Sequence, residues 1–356
     1  MTEPVHAFSA TGETTLDTAP AAAPTRGARL ARRAFVVREL GIALALVLLV
    51  VVTSVVTPRF LSAQNVKDLL LGSAILAILA VGQAIVVITR NVDLSVGSIL
   101  GLSAFATGAM FAALPGLPIA VMLLIGMALG AALGAVNGGL IAAARVPALV
   151  VTLGTLYVFR GLDYMWATGR QINAADMPAG FLRMGTVAVL GVPVLAMFAV
   201  VVLVAVGYYL HNFRSGRELY AIGSDPAAAR LSGIPSGRRV FAAFVASGAL
   251  AGLAGFLHAA RFGTIDANAG LGTELNVVAA VVVGGVAIFG GSGSVYGAAL
   301  GAVLLTTIRA ALPVLGINPF WQDAAVGALI LAAIGLDRAL SARVARGLRE
   351  RKAHHA

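Results

Sequence analysis

The sequence predicts an all-α, polytopic membrane protein with about ten transmembrane helices and an inverted internal repeat. Composition is the first reason, because hydrophobic residues make up 59% of the 356 residues, charged residues make up 11%, and the mean hydropathy is +0.95. A soluble domain carries about 25% charged residues, so this chain could not cover a soluble fold with polar surface. The second reason is that apolar stretches of about 20 residues, the length of a membrane-spanning helix, recur along the chain.

Ten apolar stretches, taken in chain order, are the predicted spans. Their bounds are 40–56, 69–89, 97–114, 117–140, 147–165, 186–210, 240–259, 274–290, 294–311 and 321–337. Residues 1–35 are predicted to be a disordered cytoplasmic tail, 36–340 the transmembrane domain, and 341–356 a basic cytoplasmic tail. The 42 glycines cluster inside the spans. Small residues there let helix backbones approach closely, and some of these glycines are expected to mark broken helices.

The distribution of Arg and Lys predicts which ends of the spans face the cytoplasm. With the amino terminus inside, 18 of these residues fall in inside segments and five fall outside. Because cytoplasmic loops are enriched in Arg and Lys, both termini and the polar loop 211–239 are predicted to be cytoplasmic. The net charge of +10 then reflects membrane topology, and nucleic-acid binding is not needed to explain it.

One heptapeptide occurs twice in the chain. GAALGAV stands at 130–136, in the fourth predicted span, and at 297–303, in the ninth. Since the copies are five spans apart, they run in opposite directions, as in transporters built from inverted repeats. The alternative is coincidence in a chain rich in Ala and Gly. A repeat of this kind favours a transporter over a membrane-anchored enzyme.

The sequence lacks the motifs of ATP hydrolysis, metal binding and nucleophilic catalysis. GGSGSVYG at 290–297 is rich in glycine but has no lysine to hold a phosphate. None of the five histidines stands at a metal-ligand spacing, and there is no cysteine. We therefore expect no catalytic residue, no metal and no cofactor in this chain. A carrier driven by protons or sodium is disfavoured, because the spans hold no series of carboxylates that could relay ions.

Three ionisable residues fall at or near membrane depth, where charge is costly and is a sign of function. Asp93 lies in NVDLSVGS (91–98), which is predicted to be a short non-helical stretch in which Asp93 or Ser95 caps the next helix. Arg160 and Asp163 are three residues apart, so they can share a helix face and pair. The alternative for each is a structural role only, as a cap or an ion pair near the membrane interface.

The segment GSDPAAARLSGI (223–234), inside the polar loop, has complete helix start and stop signals. Asp225 is a preferred N-cap, Pro226 suits the first helical position, and Gly233 supplies a left-handed stop. The predicted helix has about two turns, which is too short to be stable alone. Its apolar face and its charge come from Ala228, Leu231, Ile234 and Arg230. Such a helix suits insertion into a cleft of a partner protein; the alternative is that it lies on lipid headgroups.

Four separated motifs occur in one order along the chain. They are NVDLSVGS (91–98), NGGLIAAARVPALVVTLGTLYVFRG (137–161), GRELYAIGSDPAAARLSGI (216–234) and ELNVVAAVVVGGVAIFGGSGSVYGAALGA (274–302). Together they resemble bacterial ABC importer permeases for monosaccharides, the ribose, xylose, arabinose and galactose group, over residues 60–340. One departure is Arg90-Asn91-Val92 before Asp93, where the family more usually has Gly-Gly-Ile or Gly-Gly-Val.

The resemblance implies a permease subunit in the bacterial inner membrane that forms the path for a monosaccharide or related polyol. It also implies a second permease chain, identical or closely related, ATPase subunits that bind ATP and Mg, and a periplasmic sugar-binding protein. The helix 225–233 would then be a coupling helix, seated in a groove of the ATPase. Two alternatives stay open: another solute, such as a branched-chain amino acid or a furanose signal molecule, and a secondary carrier that works alone.

The matching motifs also imply roles for individual residues. Coupling to the ATPase falls on Gly216, Arg217, Tyr220, Gly223, Asp225, Ala228, Arg230 and Gly233. The candidates for lining or shaping the translocation path are Asp93, Ser95, Gly97, Asn137, Thr152, Thr155 and Asn276. Thr and Asn inside spans can also serve only to bond one helix to another.

Overall fold

The computed structural model describes residues 26–335, apart from residues 145, 319, 326, 329–330 and 333–334; for residues 26–38 and 144 it describes the backbone alone. The described chain is mainly α-helical. Its helices are α1 (Arg26–Val56), α2 (Ala63–Ile88), α3 (Val96–Ala113), α4 (Ile119–Ala144), α5 (Ala148–Ala167), α6 (Ala179–Met184), α7 (Val194–Asn212), α8 (Arg214–Ser224), α9 (Pro226–Leu231), α10 (Ser236–Phe262), α11 (Thr273–Val283) and α12 (Val295–Val314). Two 3₁₀ turns, Pro58–Leu61 and Ala174–Asp176, and a hairpin of β1 (Ala188–Val189) and β2 (Val192–Pro193) lie between them.

Seven helices in the described chain are long and apolar enough to cross a membrane. The apolar segments are Glu39–Val56, Ala63–Ile88, Val96–Ala113, Ile119–Ala143, Val194–Asn212, Ser236–Phe262 and Val295–Val314. The prediction of a polytopic all-α membrane protein is therefore confirmed. The other predicted spans fall on α5, on the short α11 and on 321–337, which is helical at its described positions. The total of ten spans stays a prediction.

The predicted span 274–290 is wrong in its second half. Helix α11 ends at Val283 after 11 residues, a length of about 16 Å, whereas the hydrocarbon core of a membrane is about 30 Å thick. The chain is non-helical from there until α12 begins. Four glycines in this stretch adopt positive φ angles, which helices exclude: Gly285, Gly290, Gly291 and Gly293. Hydropathy alone did not detect this break, because the apolar residues 286–289 (VAIF) continue the run of α11 without a charge.

Two other predicted boundaries differ from the structure. The predicted span 186–210 begins with the β1–β2 hairpin, whose two-residue turn places Leu190 and Gly191 at φ of 51° and 81°, so α7 starts only at Val194. At the amino terminus, α1 begins at Arg26, inside the segment predicted to be a tail. Residues 1–25 of that segment and the basic tail 341–356 lie outside the described residues.

Three helices form the interior of the described bundle. Within its apolar window, α2 is 94% buried, α3 is 78% buried and α10 is 72% buried, whereas the corresponding values for α1, α4 and α7 are 11%, 22% and 28%. The outer helices therefore present most of their apolar surface outward, as lipid-facing helices do.

Helices α4 and α10 approach so closely that only glycine fits between them. A Cβ atom on Gly130 of α4 would overlap the carbonyl oxygen of Gly248 in α10, and a Cβ on Gly252 of α10 would overlap the carbonyl oxygen of Gly126 in α4. Small residues are the means by which membrane helices gain van der Waals contact in the absence of a hydrophobic driving force. The expected packing role of the span glycines is therefore confirmed for this pair of helices.

The two copies of the repeated heptapeptide face different neighbours. In α4 the first copy packs its glycines against α10, whereas in α12 Gly297 and Gly301 pack against Gly284 and Ala280, at the end of α11. A common feature of both halves is a non-helical break, after α2 in one and after α11 in the other. The inverted repeat stays a prediction.

Candidate functional site

The predicted loop helix exists and is capped as its sequence indicates. Helix α9 spans Pro226–Leu231, and the Oδ1 atom of Asp225 accepts hydrogen bonds from the backbone N–H groups of Ala227 and Ala228 at 2.9 and 3.0 Å. The bonds from Ala228 and Ala227 lower the pKa of the Asp225 carboxyl. Gly233 has a φ of 75°, the left-handed conformation expected after the helix.

Helix α9 is attached to its own chain on one side and exposed on the other. Ala229 is buried, whereas Ala228 and Arg230 are exposed and Leu231 is 91% exposed. The guanidinium Nε of Arg230 donates to the carbonyl oxygen of Pro226 at 3.1 Å, which holds the side chain along the helix. A leucine this exposed, beside a charged group, is an arrangement that suits contact with a partner.

A second loop helix, α8, was not predicted from the sequence. Its buried residues Leu219 and Ile222 face the bundle. Gly216 lies against the carbonyl oxygen of Tyr209, where a larger residue would not fit, and Arg217 Nη1 donates to the carbonyl oxygen of Asn212 at 2.9 Å. Helix α8 therefore continues from α7 through a short, closely bonded corner.

The side chain of Glu218 fastens α8 to the start of α10. Its Oε2 accepts a hydrogen bond from Arg239 Nε at 2.6 Å, and its Oε1 accepts one from Arg214 Nε at 2.9 Å. These two cations, Arg239 foremost, lower the pKa of the Glu218 carboxyl. Sequence reasoning missed Glu218, although its spacing of four residues from Arg214 is a signal for an ion pair on a helix.

The inner side of α8 reaches the non-helical segment before α12. The hydroxyl of Tyr220 donates to the carbonyl oxygen of Gly293 at 3.1 Å, and burial raises the pKa of Tyr220 to about 12. Gly223 lies against the last carbonyl of α2 and the backbone of Gly291. The predicted coupling residues thus form two sets, one facing inward (Gly216, Tyr220 and Gly223) and one facing outward (Ala228 and Arg230).

Three of the predicted path residues form one hydrogen-bonded group, which we call the Asp93 cluster: Asp93, Ser95 and Asn137. The Oδ1 atom of Asp93 accepts bonds from the backbone N–H and the hydroxyl of Ser95 at 2.9 and 2.7 Å, and Asn137 Nδ2 donates to Ser95 Oγ at 2.7 Å. All three side chains are fully buried. Helix α3 begins at Val96 with Ser95 at the N-cap position, whose side chain makes no capping hydrogen bond. Asp93 Oδ1 bonds the N–H of Ser95, one residue before the helix, so neither predicted capping alternative is present.

Two oxygens of the Asp93 cluster have no hydrogen-bond partner among the described residues: Asp93 Oδ2 and Asn137 Oδ1. Gln83 of α2, which the sequence did not single out, faces the backbone of Asp93. Its amide can donate to the Asp93 carbonyl oxygen and accept from the Asp93 N–H, both at 3.1 Å. The cluster is thus held from α2, α3 and α4 together.

The remaining predicted path residues lie around this cluster or away from it. Thr152 Oγ1 donates to the carbonyl oxygen of Val92 at 3.2 Å, and Thr155 bonds the carbonyl oxygen of Thr152 within α5. Gly97 lies against the carboxylate of Glu274, which an added Cβ atom would overlap. Asn276 is separate, because its Oδ1 atom accepts a hydrogen bond from Arg309 at 2.6 Å.

The predicted pair of Arg160 and Asp163 is present in α5, with Nη1 and Oδ2 3.8 Å apart. Arg160 Nη1 also donates to the carbonyl oxygens of Ala267 and Ala269, at 2.8 and 2.7 Å. The arginine therefore fixes the non-helical segment between α10 and α11 against α5. Part of that segment, with His258 and Phe262 of α10, lines an open cleft of about 370 Å³.

The fold and this site together define a class of protein: a polytopic membrane subunit that projects a capped loop helix and carries a buried polar cluster between its helices. Residues 65–334 match the family described as "Branched-chain amino acid transport system / permease component", and the chain belongs to this family of ABC transporter permeases. It is therefore a permease of an ABC importer and a multi-pass inner-membrane protein. Such permeases generally work with an ATPase and a binding protein.

Several curated proteins are similar over nearly the whole chain. The autoinducer 2 import system permease protein LsrC of Enterobacter sp. (strain 638) is 38% identical over 316 residues, which is 88% of this chain and 91% of the relative. The probable ABC transporter permease protein y4mJ of Sinorhizobium fredii is 38% identical over 300 residues, 84% of this chain and 89% of the relative. LsrC of Salmonella paratyphi B is 36% identical over 317 residues, with coverage of 88% and 90%. No solved structure matches the chain significantly.

Proposed function

We propose that this chain forms the translocation path of an ATP-driven importer whose solute is a monosaccharide or a related polyol. The observation that carries the proposal is α9, which is capped by Asp225, bounded by Gly233 and exposed at Leu231. A helix of six residues contributes little to stability on its own. Its exposed face is therefore suited to a groove in a partner ATPase, where it would act as the coupling helix.

The chain is proposed to be a non-catalytic transport subunit. Because its sequence lacks a P-loop, ATP and Mg²⁺ would bind to the partner ATPase and not to this chain. ATP-driven closure of the ATPase pair would displace α9 and, through α8, the helices around the Asp93 cluster. The affinity for the solute would reside mainly in the binding protein, so the path needs no tight site.

The proposed orientation places α8, α9 and both termini in the cytoplasm. It rests on the arginines of the loop, which would form part of the inside positive charge: Arg214, Arg217, Arg230, Arg238 and Arg239. The periplasmic binding protein would then dock at the opposite end of the bundle, near the α10–α11 segment. A second permease chain, identical or closely related, would complete the path beside this one.

Reconstitution into proteoliposomes with its ATPase and binding protein tests this function. The expected result is uptake of labelled monosaccharide that requires ATP on the ATPase side and requires the binding protein outside. Membranes that hold the permease alone should take up none. Uptake by the permease alone, without ATP, would instead establish a secondary carrier and refute the proposal.

Variants at Asp225 test the role of α9 within that assay. Asp225→Ala removes both capping hydrogen bonds, a loss of about 1 kcal/mol, and should fray the helix and reduce solute-stimulated ATPase activity. Asp225→Ser keeps a capping oxygen and is the matched control that should retain most coupling. Equal coupling in both variants and the wild type would exclude α9 as the coupling helix.

A second candidate solute is favoured by the names of two relatives, which are permeases of autoinducer 2 import systems. We propose autoinducer 2, as a furanose-type solute, for the second candidate, because it would belong to the same polyhydroxylated class as the monosaccharides. Competition of unlabelled ribose, autoinducer 2 and leucine against labelled ribose in the reconstituted system distinguishes the candidates. Competition by leucine alone would assign the chain to branched-chain amino acids and overturn the carbohydrate proposal.

A further inference from the structure

Three segments that are far apart in sequence meet at one backbone contact, which we call the three-way contact: Ile88, Gly223 and Gly291. Ile88 ends α2, Gly223 lies in the last turn of α8, and Gly291 lies in the break between α11 and α12. The N–H of Gly291 donates to the carbonyl oxygen of Ile88 at 2.9 Å. A Cβ on Gly223 would overlap both that oxygen and the nitrogen of Gly291. Glycine is therefore the residue that allows α8 to touch both segments.

Side chains reinforce the three-way contact from two sides. Tyr220, one turn before Gly223, donates to the carbonyl oxygen of Gly293, and Arg90 Nε donates to the carbonyl oxygen of Phe289. Gly290 lies against the backbone and side chain of Arg90, where a Cβ would overlap Cγ of the arginine. The end of α2 and the break before α12 are thus bonded to each other as well as to α8.

The three-way contact is close along the chain to both the loop helix α9 and the buried Asp93. Asp225, the cap of α9, follows Gly223 by two residues, and Asp93 follows Ile88 by five. Because backbone atoms in van der Waals contact have no rotamers with which to absorb a shift, a displacement of α8 must be passed to both breaks. The break after α2 contains Asp93 and Ser95 of the Asp93 cluster, and the break after α11 leads into α12.

We propose that the three-way contact transmits the motion of α8 and α9 to the α2–α3 and α11–α12 breaks as one rigid unit during transport. Gly223 and Gly291 are accordingly positioning residues for coupling, and Tyr220 and Arg90 hold the unit together. This inference rests on the proposed function, since it requires that a partner ATPase moves α9. It adds that both breaks, and not one, receive that movement.

The first experiment compares Gly223→Ala with Gly237→Ala in the complex reconstituted with its ATPase and binding protein. Gly237 lies in the first turn of α10 with nothing within 4 Å of an added Cβ, so it controls for the substitution itself. In Gly223→Ala we expect uptake per ATP, measured against the hydrolysis of the same complex, to fall about tenfold, the effect of a typical overpacking cost. Gly237→Ala should match the wild type.

Two outcomes of this comparison are distinct. Failure of the wild-type complex to import solute would refute the proposed function and, with it, the inference that rests on that function. Import by the wild type with the same uptake per ATP in Gly223→Ala and Gly237→Ala would overturn the inference alone. Tyr220→Phe is the second variant in case Gly223→Ala does not assemble. It removes only the bond to Gly293 and should lower uptake per ATP about fivefold, and wild-type coupling in this variant overturns the inference as well.

A crosslink tests whether the unit moves rigidly. The chain has no cysteine, so Ser224→Cys with Ser292→Cys can be joined by a short bifunctional thiol reagent without side reactions on the permease. The expected result is that uptake persists after crosslinking, because the two segments stay together throughout the cycle. Loss of uptake in the crosslinked double variant, with uptake retained in each single variant after the same treatment, would overturn the inference.

Discussion

At the scale of single residues, Arg90 occupies a position whose backbone favours glycine. Its φ is 68°, and a residue with a Cβ atom pays roughly 1–2 kcal/mol in this region. The family motif more usually has glycine at this position, so the arginine of this chain introduces backbone strain that glycine would avoid. Its compensation is the hydrogen bond from Arg90 Nε to Phe289, which ties the two breaks together.

Replacing Arg90 by Gly and by Ala separates the strain from the hydrogen bond. Both variants lose the bond to Phe289, but alanine keeps the strained φ and glycine relieves it. We expect Arg90→Gly to be close to the wild type in thermal stability and Arg90→Ala to be less stable than Arg90→Gly by about 1 kcal/mol. Thermal unfolding of the purified protein in detergent measures the difference. Identical unfolding curves for the two variants would contradict the assignment of strain.

Arg160 and Asp163 illustrate how a buried ion pair depends on both partners. Both oxygens of Asp163 are buried and lack a hydrogen-bond partner among the described residues, so Arg160 is the group that offsets this charge. Removing one partner of a buried pair leaves an uncompensated charge, which typically costs 3–5 kcal/mol. Arg160 also donates hydrogen bonds to two backbone carbonyl oxygens, those of Ala267 and Ala269.

A double-mutant cycle at these two positions has a definite expected order. Arg160→Gln should be the most destabilising single change, because it strands Asp163 and weakens the bonds to Ala267 and Ala269. Asp163→Asn should cost less, and the double variant should cost less than the sum of the two by about 1 kcal/mol or more. Thermal unfolding of the four proteins measures the coupling. Strict additivity would mean that the two side chains do not interact.

At the scale of elements, the docking of α8 depends on one carboxylate between two arginines. The folded-state pKa of Glu218 lies below its unfolded value because Arg239 and Arg214 stabilise the charged form. The stability that it contributes is therefore fully present above the unfolded pKa, about 4.3, and is lost as the pH falls through the folded value. Between pH 5 and pH 8 this contribution should not change.

Amide hydrogen exchange of residues 214–224 tests this prediction. In the wild type, protection of α8 should be independent of pH from 5 to 8 after correction for the intrinsic exchange rate, and should decline only in stronger acid. Glu218→Gln should show weaker protection across the whole range, while Gln64→Glu, a change on the exposed start of α2, should leave α8 unchanged. A decline in α8 protection within the neutral range would show that some other group controls its docking.

At the scale of the whole molecule, hydropathy predicted the membrane fold and the NVDLSVGS motif predicted the break after α2, but the position of the break after α11 was not predicted. The helices α2, α4 and α10 are found where apolar runs of sufficient length place them. Hydropathy could not find the end of α11 at Val283, because the apolar residues 286–289 continue the run past it. The contacts that join the helices link residues such as Ser95 and Asn137, 42 positions apart, and no local pattern encodes such a separation.

The loop helix shows the opposite case, because all of its signals are local. An N-cap, a proline at the first position and a glycine stop lie within nine residues, and α9 forms between the cap and the glycine as these signals predict. Helix α8 escaped prediction because its cap, Phe213, makes no side-chain hydrogen bond and because it follows α7 almost without interruption. What holds α8 in place is Glu218 with Arg239, 21 residues further on.

The assembly of the bundle depends on how closely α4 can approach α10, and three glycines of α4 form a graded test. An added Cβ on Gly139 meets nothing, one on Gly126 meets its nearest atom at an ordinary 3.5 Å, and one on Gly130 overlaps the backbone of α10. We expect Gly139→Ala to be neutral or slightly stabilising, because alanine is the better helix former. Gly126→Ala should be nearly neutral, and Gly130→Ala should destabilise the fold by about 1–3 kcal/mol. Thermal unfolding in one detergent ranks the three variants. A ranking in which Gly130→Ala is no less stable than Gly139→Ala would mean that the close contact of α4 with α10 does not determine the stability of the bundle.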